Sequence, residues 1–518
     1  MNAATDSYLA GKGGIPEWFT STDHKKISLM FLGWTGFAFL LGAIFGLFLI
    51  VKSLGGRGLE PRFVFQALTY SRLLLVFLFL VPALPSVLGF FLLPLQLGAS
   101  NMALPNLSRC SLRFYVIGLV LLIASLVGGP IATGWTMAAP LVVAETGLFA
   151  LVAFGLFFSA LSWFLTGVNF LVTVHHKRAP GMGFFDMPIL SWALYLTGYL
   201  LVITGMLFAV VILYLAASRF SGEGIFGADP MLWNNYFWFV TTPAAFFALL
   251  PAIGVISEII AGISRKRVAG YRMVVGSMIT LLGLSFLGWG VNLVGQGQDP
   301  ITTLVFQALG ILAVVPVSLI AYSWLATLYQ GAVAREAVVV FVFAFMVHAG
   351  IVALMGLFLI SPSVGAYLGT TMFAATRLDY LIWGGVLSAL LAGLHYWWPK
   401  MTGKDYSQDV ARIGGVLYLV GLNLALIPNL ILGVGGVTGD MAAFEAGPSG
   451  LAELAGLGWL IVYSGLILVV GNLFASTWGK ATDEVNPWGA STLEWKTATP
   501  PPEGNFAEAP QAEGLYRY

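Results

Sequence analysis

Phe373-Ala374-Ala375-Thr376-Arg377-Leu378-Asp379-Tyr380, running on to His395-Tyr396-Trp397-Trp398-Pro399-Lys400-Met401-Thr402-Gly403, is the stretch that decides the fold. No Asp, Glu, Lys or Arg lies between Tyr380 and Trp398. That makes a membrane-spanning helix of the required length, about 20 residues. Its exit places aromatics and Lys400 where a helix meets lipid headgroups. Its entrance carries Arg377 and Asp379, two residues apart. On a helix that spacing turns the side chains about 200° apart, so the two charges face different neighbours.

Working outward, the same pattern repeats along the chain. The protein is 58% hydrophobic and 9% charged, with a mean hydropathy of +0.90, which excludes a soluble globular domain. Apolar segments at 27–51, 73–95, 114–136, 146–174, 188–217, 232–262, 272–295, 301–329, 337–361, 372–399, 410–435 and 451–476 predict twelve transmembrane helices in an all-α polytopic fold. The expected organisation is an N-terminal segment (1–26), a membrane domain (27–476) and a C-terminal tail (477–518). Lys25, Lys26, Arg109, Arg113, Lys177, Arg178, Arg265, Lys266, Arg267, Arg335, Lys400 and Lys404 all fall on one side. The positive-inside rule then places both termini in the cytoplasm, as for a bacterial-type inner membrane. No apolar run precedes Ile27, so no cleavable signal peptide is expected. A net charge of +1 argues against a nucleic-acid partner, and a lone cysteine, Cys110, excludes an intramolecular disulfide. The Pro-rich tail around Pro500–Pro502 is expected to run extended along a surface.

The Phe373–Gly403 stretch resembles the tenth transmembrane helix of subunit I of the haem–copper oxidases, the cytochrome c and quinol oxidase family. Further landmarks carry the resemblance along nearly the whole chain, in order and spacing. They are Ser21-Thr22-Asp23-His24-Lys25-Lys26-Ile27, Pro94-Leu95-Gln96-Leu97-Gly98-Ala99, Arg178-Ala179-Pro180-Gly181-Met182, Ser323-Trp324-Leu325-Ala326-Thr327 and Asn486-Pro487-Trp488-Gly489 with Leu493-Glu494-Trp495. The resemblance implies a subunit I fold. It also implies two haems and a copper ion held by six histidines, because imidazole offers an uncharged nitrogen on a rigid ring.

This chain has five histidines in all, His24, His175, His176, His348 and His395. Counted from the landmarks, the low-spin haem ligands fall on Ser71 and Asp379, and the high-spin ligand on Arg377. The copper ligands fall on Thr242, Val294 and Gly295. The cross-linked tyrosine position is Phe246 and the helix-six glutamate is Ala244. The helix-eight lysine is Ile320, and the aspartate at a proton-channel mouth is Asn101. The expectation is therefore a pseudoenzyme, with no haem or copper and with lipid or quinone in the vacated haem volume. It would act as a structural or assembly subunit beside other integral-membrane respiratory subunits, such as oxidase subunit II- or III-like chains or another subunit I.

Arg72 and Asp379 would be charges at membrane depth, and isolated they would cost several kcal/mol. A salt bridge between them is predicted. The remaining histidines have ordinary readings: His24 as a cap or interfacial group, His175 and His176 in a basic headgroup-level loop, and His395 as an interface anchor. His348 reads as a hydrogen-bonded packing residue. Two alternatives stay open: a redox subunit with an altered cofactor, with a haem on His348 or a quinone in the emptied pocket, and an anion transporter using Arg72 and Arg377.

Overall fold

The computed structural model describes residues 7–10, 14–55, 59–138, 141–145, 147–221, 230–294, 297–331, 336–438 and 450–511. Among the described residues, eleven helices are long and apolar enough to cross a membrane, and a twelfth apolar helix is shorter. In chain order they are α1 (His24–Ser53), α2 (Pro61–Leu97), α3 (Pro105–Gly128), α4 (Phe149–His176), α5 (Ile189–Ala217), α6 (Met231–Ser264), α7 (Tyr271–Leu287), α8 (Pro300–Leu328), α9 (Ala337–Ile360), α10 (Met372–Thr402), α11 (Gln408–Val434) and α12 (Gly450–Ser476). Among the described residues the only non-helical pairing is three isolated bridges.

Local chemistry sets the helix ends. The Asp23 carboxylate accepts from Lys25 N at 2.7 Å and starts α1, and the Asp299 carboxylate does the same for α8. Prolines open α2, α3 and α8, where a missing N–H costs nothing. The seventh apolar segment, expected over 272–295, stays α-helical only to Leu287. A 3-10 turn, Trp289–Leu293, follows it. Gly290 explains the stop: a Cβ there would meet the Phe306 ring of α8 at 2.2 Å, so this turn is pressed against a neighbouring helix.

Small residues let α11 and α12 approach closely. A Cβ on Gly458 would lie 2.3 Å from Ala425 N, and one on Gly465 would lie 2.7 Å from the Gly414 carbonyl. By contrast α2 is buried throughout its apolar window and forms the middle of the bundle. It contains two π-helical runs, Leu74–Leu80 and Ala83–Gly89, and α10 contains a third, Tyr380–Leu387. The first begins two residues after Arg72, and the one in α10 begins immediately after Asp379.

The tail is not simply laid over a surface. Residues Leu493, Glu494, Trp495, Thr497 and Asn505 are buried in the end of the bundle that carries α1's start and α10's end. Lys400 Nζ donates to the Thr497 carbonyl at 2.7 Å, the Ala498 carbonyl at 3.1 Å and Thr499 Oγ1 at 2.9 Å. Lys25 Nζ donates to Asn505 Oδ1 at 2.7 Å, and Asn505 Nδ2 donates to the Ala99 carbonyl at 2.7 Å. His24 is fully buried here, with Nδ1 2.8 Å from the Phe90 carbonyl and Nε2 accepting from Asn505 Nδ2 at 2.9 Å. It is a tail-docking residue rather than a cap, the cap being Asp23. His395 is equally buried rather than exposed as an anchor: its ring stacks on Phe341 at 4.6 Å and meets Tyr406 edge-on.

Glu494 sits in a 3-10 turn, Leu493–Lys496, with its carboxylate accepting from Gln96 Nε2 at 3.1 Å. Burial pushes the Glu494 carboxyl up from the ordinary carboxylate range. Docking thus shifts this carboxyl toward its protonated form relative to the free tail. Its contribution is fully present at low pH and is lost as pH rises through the raised value. Glu494→Gln is expected to keep the tail docked and remove that pH dependence, read by limited proteolysis of the tail between about pH 4 and 9.

Candidate functional site

The residues expected to matter divide into two groups around α10. Asp379 faces α2. Arg72 Nη2 donates to Asp379 Oδ2 at 2.9 Å, and Nη1 donates to Oδ1, a two-pronged pairing of guanidinium and carboxylate. Only 13% of the Arg72 side chain and 12% of the Asp379 side chain is exposed. Ser71, the preceding residue, is buried and its Oγ donates to the Gly42 carbonyl of α1 at 2.9 Å.

One to two turns further along, an aromatic cluster fills the space between α1, α2, α10 and α12. Phe39 packs on Phe79 at 4.7 Å and on Trp383 at 5.0 Å, measured between ring centroids. Trp383 meets Trp459 at 4.9 Å and Tyr463 at 6.0 Å. Tyr463 OH closes the group by donating to the Ala43 carbonyl at 2.8 Å. Rings at these separations contribute packing beyond their buried area. Sequence reasoning missed this cluster because its members come from four helices far apart in the chain. The one available signal was a set of aromatics in the interior of spans rather than at their ends.

Arg377 turns the other way, onto α9. Its Nε lies 3.4 Å from the Val352 carbonyl, and its Nη2 would lie 3.1 Å from a Cβ on Gly356. Close by on α9, His348 is fully buried, with Nδ1 3.3 Å from the Gly384 carbonyl and Nε2 3.1 Å from Asn423 Nδ2. One tautomer satisfies both contacts: Nδ1–H donates and Nε2 accepts. His348→Leu is expected to destabilise the protein by about 1–3 kcal/mol, because the Asn423 amide and Gly384 carbonyl lose their partner. Thermal unfolding of the purified variant checks it, and the visible spectrum should not change.

The positions assigned to copper ligation lie at the α6–α7 contact. Thr242 Oγ1 accepts from Asn292 Nδ2 at 2.9 Å. Val294 is buried at the end of the turn after α7, and Gly295 lies outside the described residues. Ala244 and Phe246 are half-buried against the core, and Ile320 of α8 is buried. Asn101 lies at the tail end, its Nδ2 donating to the Thr22 carbonyl at 3.0 Å while its Oδ1 accepts from Met102 N at 2.8 Å. It holds a turn together.

Among the described residues no group of three or more His, Cys, Asp or Glu side chains is arranged to hold a metal ion. The donor chemistry at the assigned positions also does not fit haem or copper. One carboxylate is already held by a guanidinium, one hydroxyl is already donated to a backbone carbonyl, and threonine, valine and arginine offer no imidazole nitrogen.

The fold and the α2–α10 pairing define a polytopic helical membrane protein. Residues 26–467 match the Cytochrome C and Quinol oxidase polypeptide I family, and the chain belongs to that family. It is 30% identical to cytochrome c oxidase subunit 1 of Bacillus sp. (strain PS3), over 98% of this chain and 85% of that one. It is 31% identical to cytochrome bo(3) ubiquinol oxidase subunit 1 of Buchnera aphidicola, over 96% of this chain and 78% of the relative. A haem–copper terminal oxidase dimer solved by cryo-EM has the same fold, with a TM-score of 0.75 at 16% identity over 90% of this chain and 86% of that one.

Proposed function

We propose that this chain is a non-catalytic subunit I, a structural or assembly component of a respiratory membrane complex that carries neither haem nor copper of its own. The observation that carries the reading is the Arg72–Asp379 ion pair. An axial haem ligand must present a free lone pair to iron, whereas both oxygens of Asp379 accept from one guanidinium. The aromatic cluster of Phe39, Phe79, Trp383, Trp459 and Tyr463 supports it, because rings already occupy the space beside that pair.

What remains is scaffold. The apolar outer faces of twelve helices, and a tail pinned by Lys25 and Lys400, offer surfaces for oxidase subunit II- or III-like partners or for another subunit I. In this reading the termini face the cytoplasm of a bacterial-type inner membrane, with the basic loops. The reading with a haem on His348 is weaker, since that imidazole has both nitrogens engaged. The test is isolation of the chain from native membranes under mild detergent, with co-purifying chains identified by mass. Respiratory subunits in fixed ratio are expected. A lone chain that reduces oxygen would overturn the reading.

A further inference from the structure

Well ahead of the first membrane span, one aromatic residue is buried as deeply as the core. Tyr8 has no exposed surface, while its neighbours Leu9 and Ala10 are exposed. Among residues 7–10 a single side chain therefore holds the segment down. The Tyr8 ring lies edge-on to Phe91 of α2 at 6.1 Å, and Lys25 Nζ of α1 stands 5.5 Å from the ring centre. The hydroxyl donates to the Met401 carbonyl, near the end of α10, at 2.6 Å. Burial, with the charge of Asp23 adding to it, pushes that hydroxyl well above its ordinary value, so it stays protonated and keeps donating.

The remaining wall of this socket comes from the tail. Tyr8 N donates to the Pro501 carbonyl at 3.1 Å, and Ser7 pairs with Pro502 in an isolated antiparallel bridge. The tail itself is anchored by contacts that do not involve Tyr8. Lys400 holds Thr497, Ala498 and Thr499, and Asn505 is tied to His24, Lys25 and Ala99. Pro500 lies on Gly403, where a Cβ would meet its Cδ at 2.7 Å. The dependence is thus one-sided: the tail rests on the helices, and Tyr8 rests on the helices and the tail together. The start of α1 joins the layers. Lys25 Nζ donates to the Glu503 carbonyl at 3.1 Å, and Lys26 pairs with Glu503 at 3.8 Å and with Glu17 of the short helix Gly14–Thr20 at 2.5 Å.

We propose that Tyr8 is a lock that seats only when the tail is docked, so that residues 7–10 close over the tail as the outer layer of that end of the bundle. Its seat is built from α1, α2, the end of α10 and Pro501–Pro502, which lie far apart in the chain. A seated Tyr8 therefore marks a bundle in which those three helices have met and the tail is down. A segment held by one side chain belongs to the low-stability end of a structure and opens without unfolding the helices. Closed, it clamps α2 to α10 toward the end opposite the Arg72–Asp379 pair.

The test is hydrogen exchange of the full chain in detergent, read by mass spectrometry over residues 7–10, 493–497 and 503–506. In the parent the Tyr8 amide is expected to be protected, because Pro501 accepts from it. Lys400→Met/Asn505→Ala removes the tail's anchors and is expected to undock it, speeding exchange at Tyr8 by about tenfold, the scale of one lost hydrogen bond. Asn505→Ala alone loosens the tail more mildly and should move Tyr8 in the same direction. In Tyr8→Ala, residues 493–497 should keep their protection, since their anchors are elsewhere. Free exchange at Tyr8 in the parent, or a loosened tail beneath a Tyr8 that stays protected, overturns the proposal. So does a tail that Tyr8→Ala releases as fully as the double variant, or one that stays docked in the double variant.

Discussion

Asp379→Asn should lower the unfolding free energy by about 3–5 kcal/mol, the usual cost of leaving one member of a buried ion pair without its partner. Arg72 would keep its charge among Leu73, Leu74 and Leu75, all buried, with only a neutral amide opposite. The double variant Arg72→Met/Asp379→Leu should behave differently. Removing both charges restores an apolar contact between α2 and α10, and such replacements are often neutral or stabilising by about 1–4 kcal/mol. Thermal or denaturant unfolding of the two singles and the double, in one detergent, closes the cycle. Single variants as stable as the parent would mean the pair is not held as described.

Trp383→Ala should cost about 3–5 kcal/mol, as large aromatic truncations in a packed core do. Its ring touches Phe39, Trp459 and Tyr463, so the loss opens the space between α1, α10 and α12 rather than trimming an edge. Trp383→Phe should recover much of the loss, because an aromatic face remains for Phe39 and Trp459. If Trp383→Ala were instead neutral, that space would not be filled by packing, and the account of it would fail.

Much of the architecture was legible in the sequence, because membrane spans announce themselves by length and by missing charge. The segment 337–361 corresponds to α9 (Ala337–Ile360), and 410–435 to α11 (Gln408–Val434), each within a residue or two. Segment 272–295 was less legible. Its hydropathy continues past Leu287, but Gly288 and Gly290 end the α-helix where Phe306 presses in, and tertiary contact is invisible to a window of hydropathy. The burial of His24 and His395 was missed for a related reason. Both sit at helix ends by sequence, yet the tail folds over one and Tyr406 closes the other.

At the candidate site the sequence gives residue identities, while helix rotation decides which of them meet. Arg377 and Asp379 lie on one short stretch, and the structure sends one to α9 and the other to α2. Asn423, which donates to His348, and Asn292, which donates to Thr242, carried no signal of their own. Each is a lone amide in an apolar span, and only its partner gives it meaning.

The most direct test of the central claim is haem and copper content of the complex purified from its native membrane. A reduced-minus-oxidised visible spectrum and metal analysis would be normalised to this chain. The account predicts that any haem or copper present belongs to co-purifying subunits and that this chain, once separated, carries neither. Haem or copper in stoichiometric amount on this chain itself would contradict it.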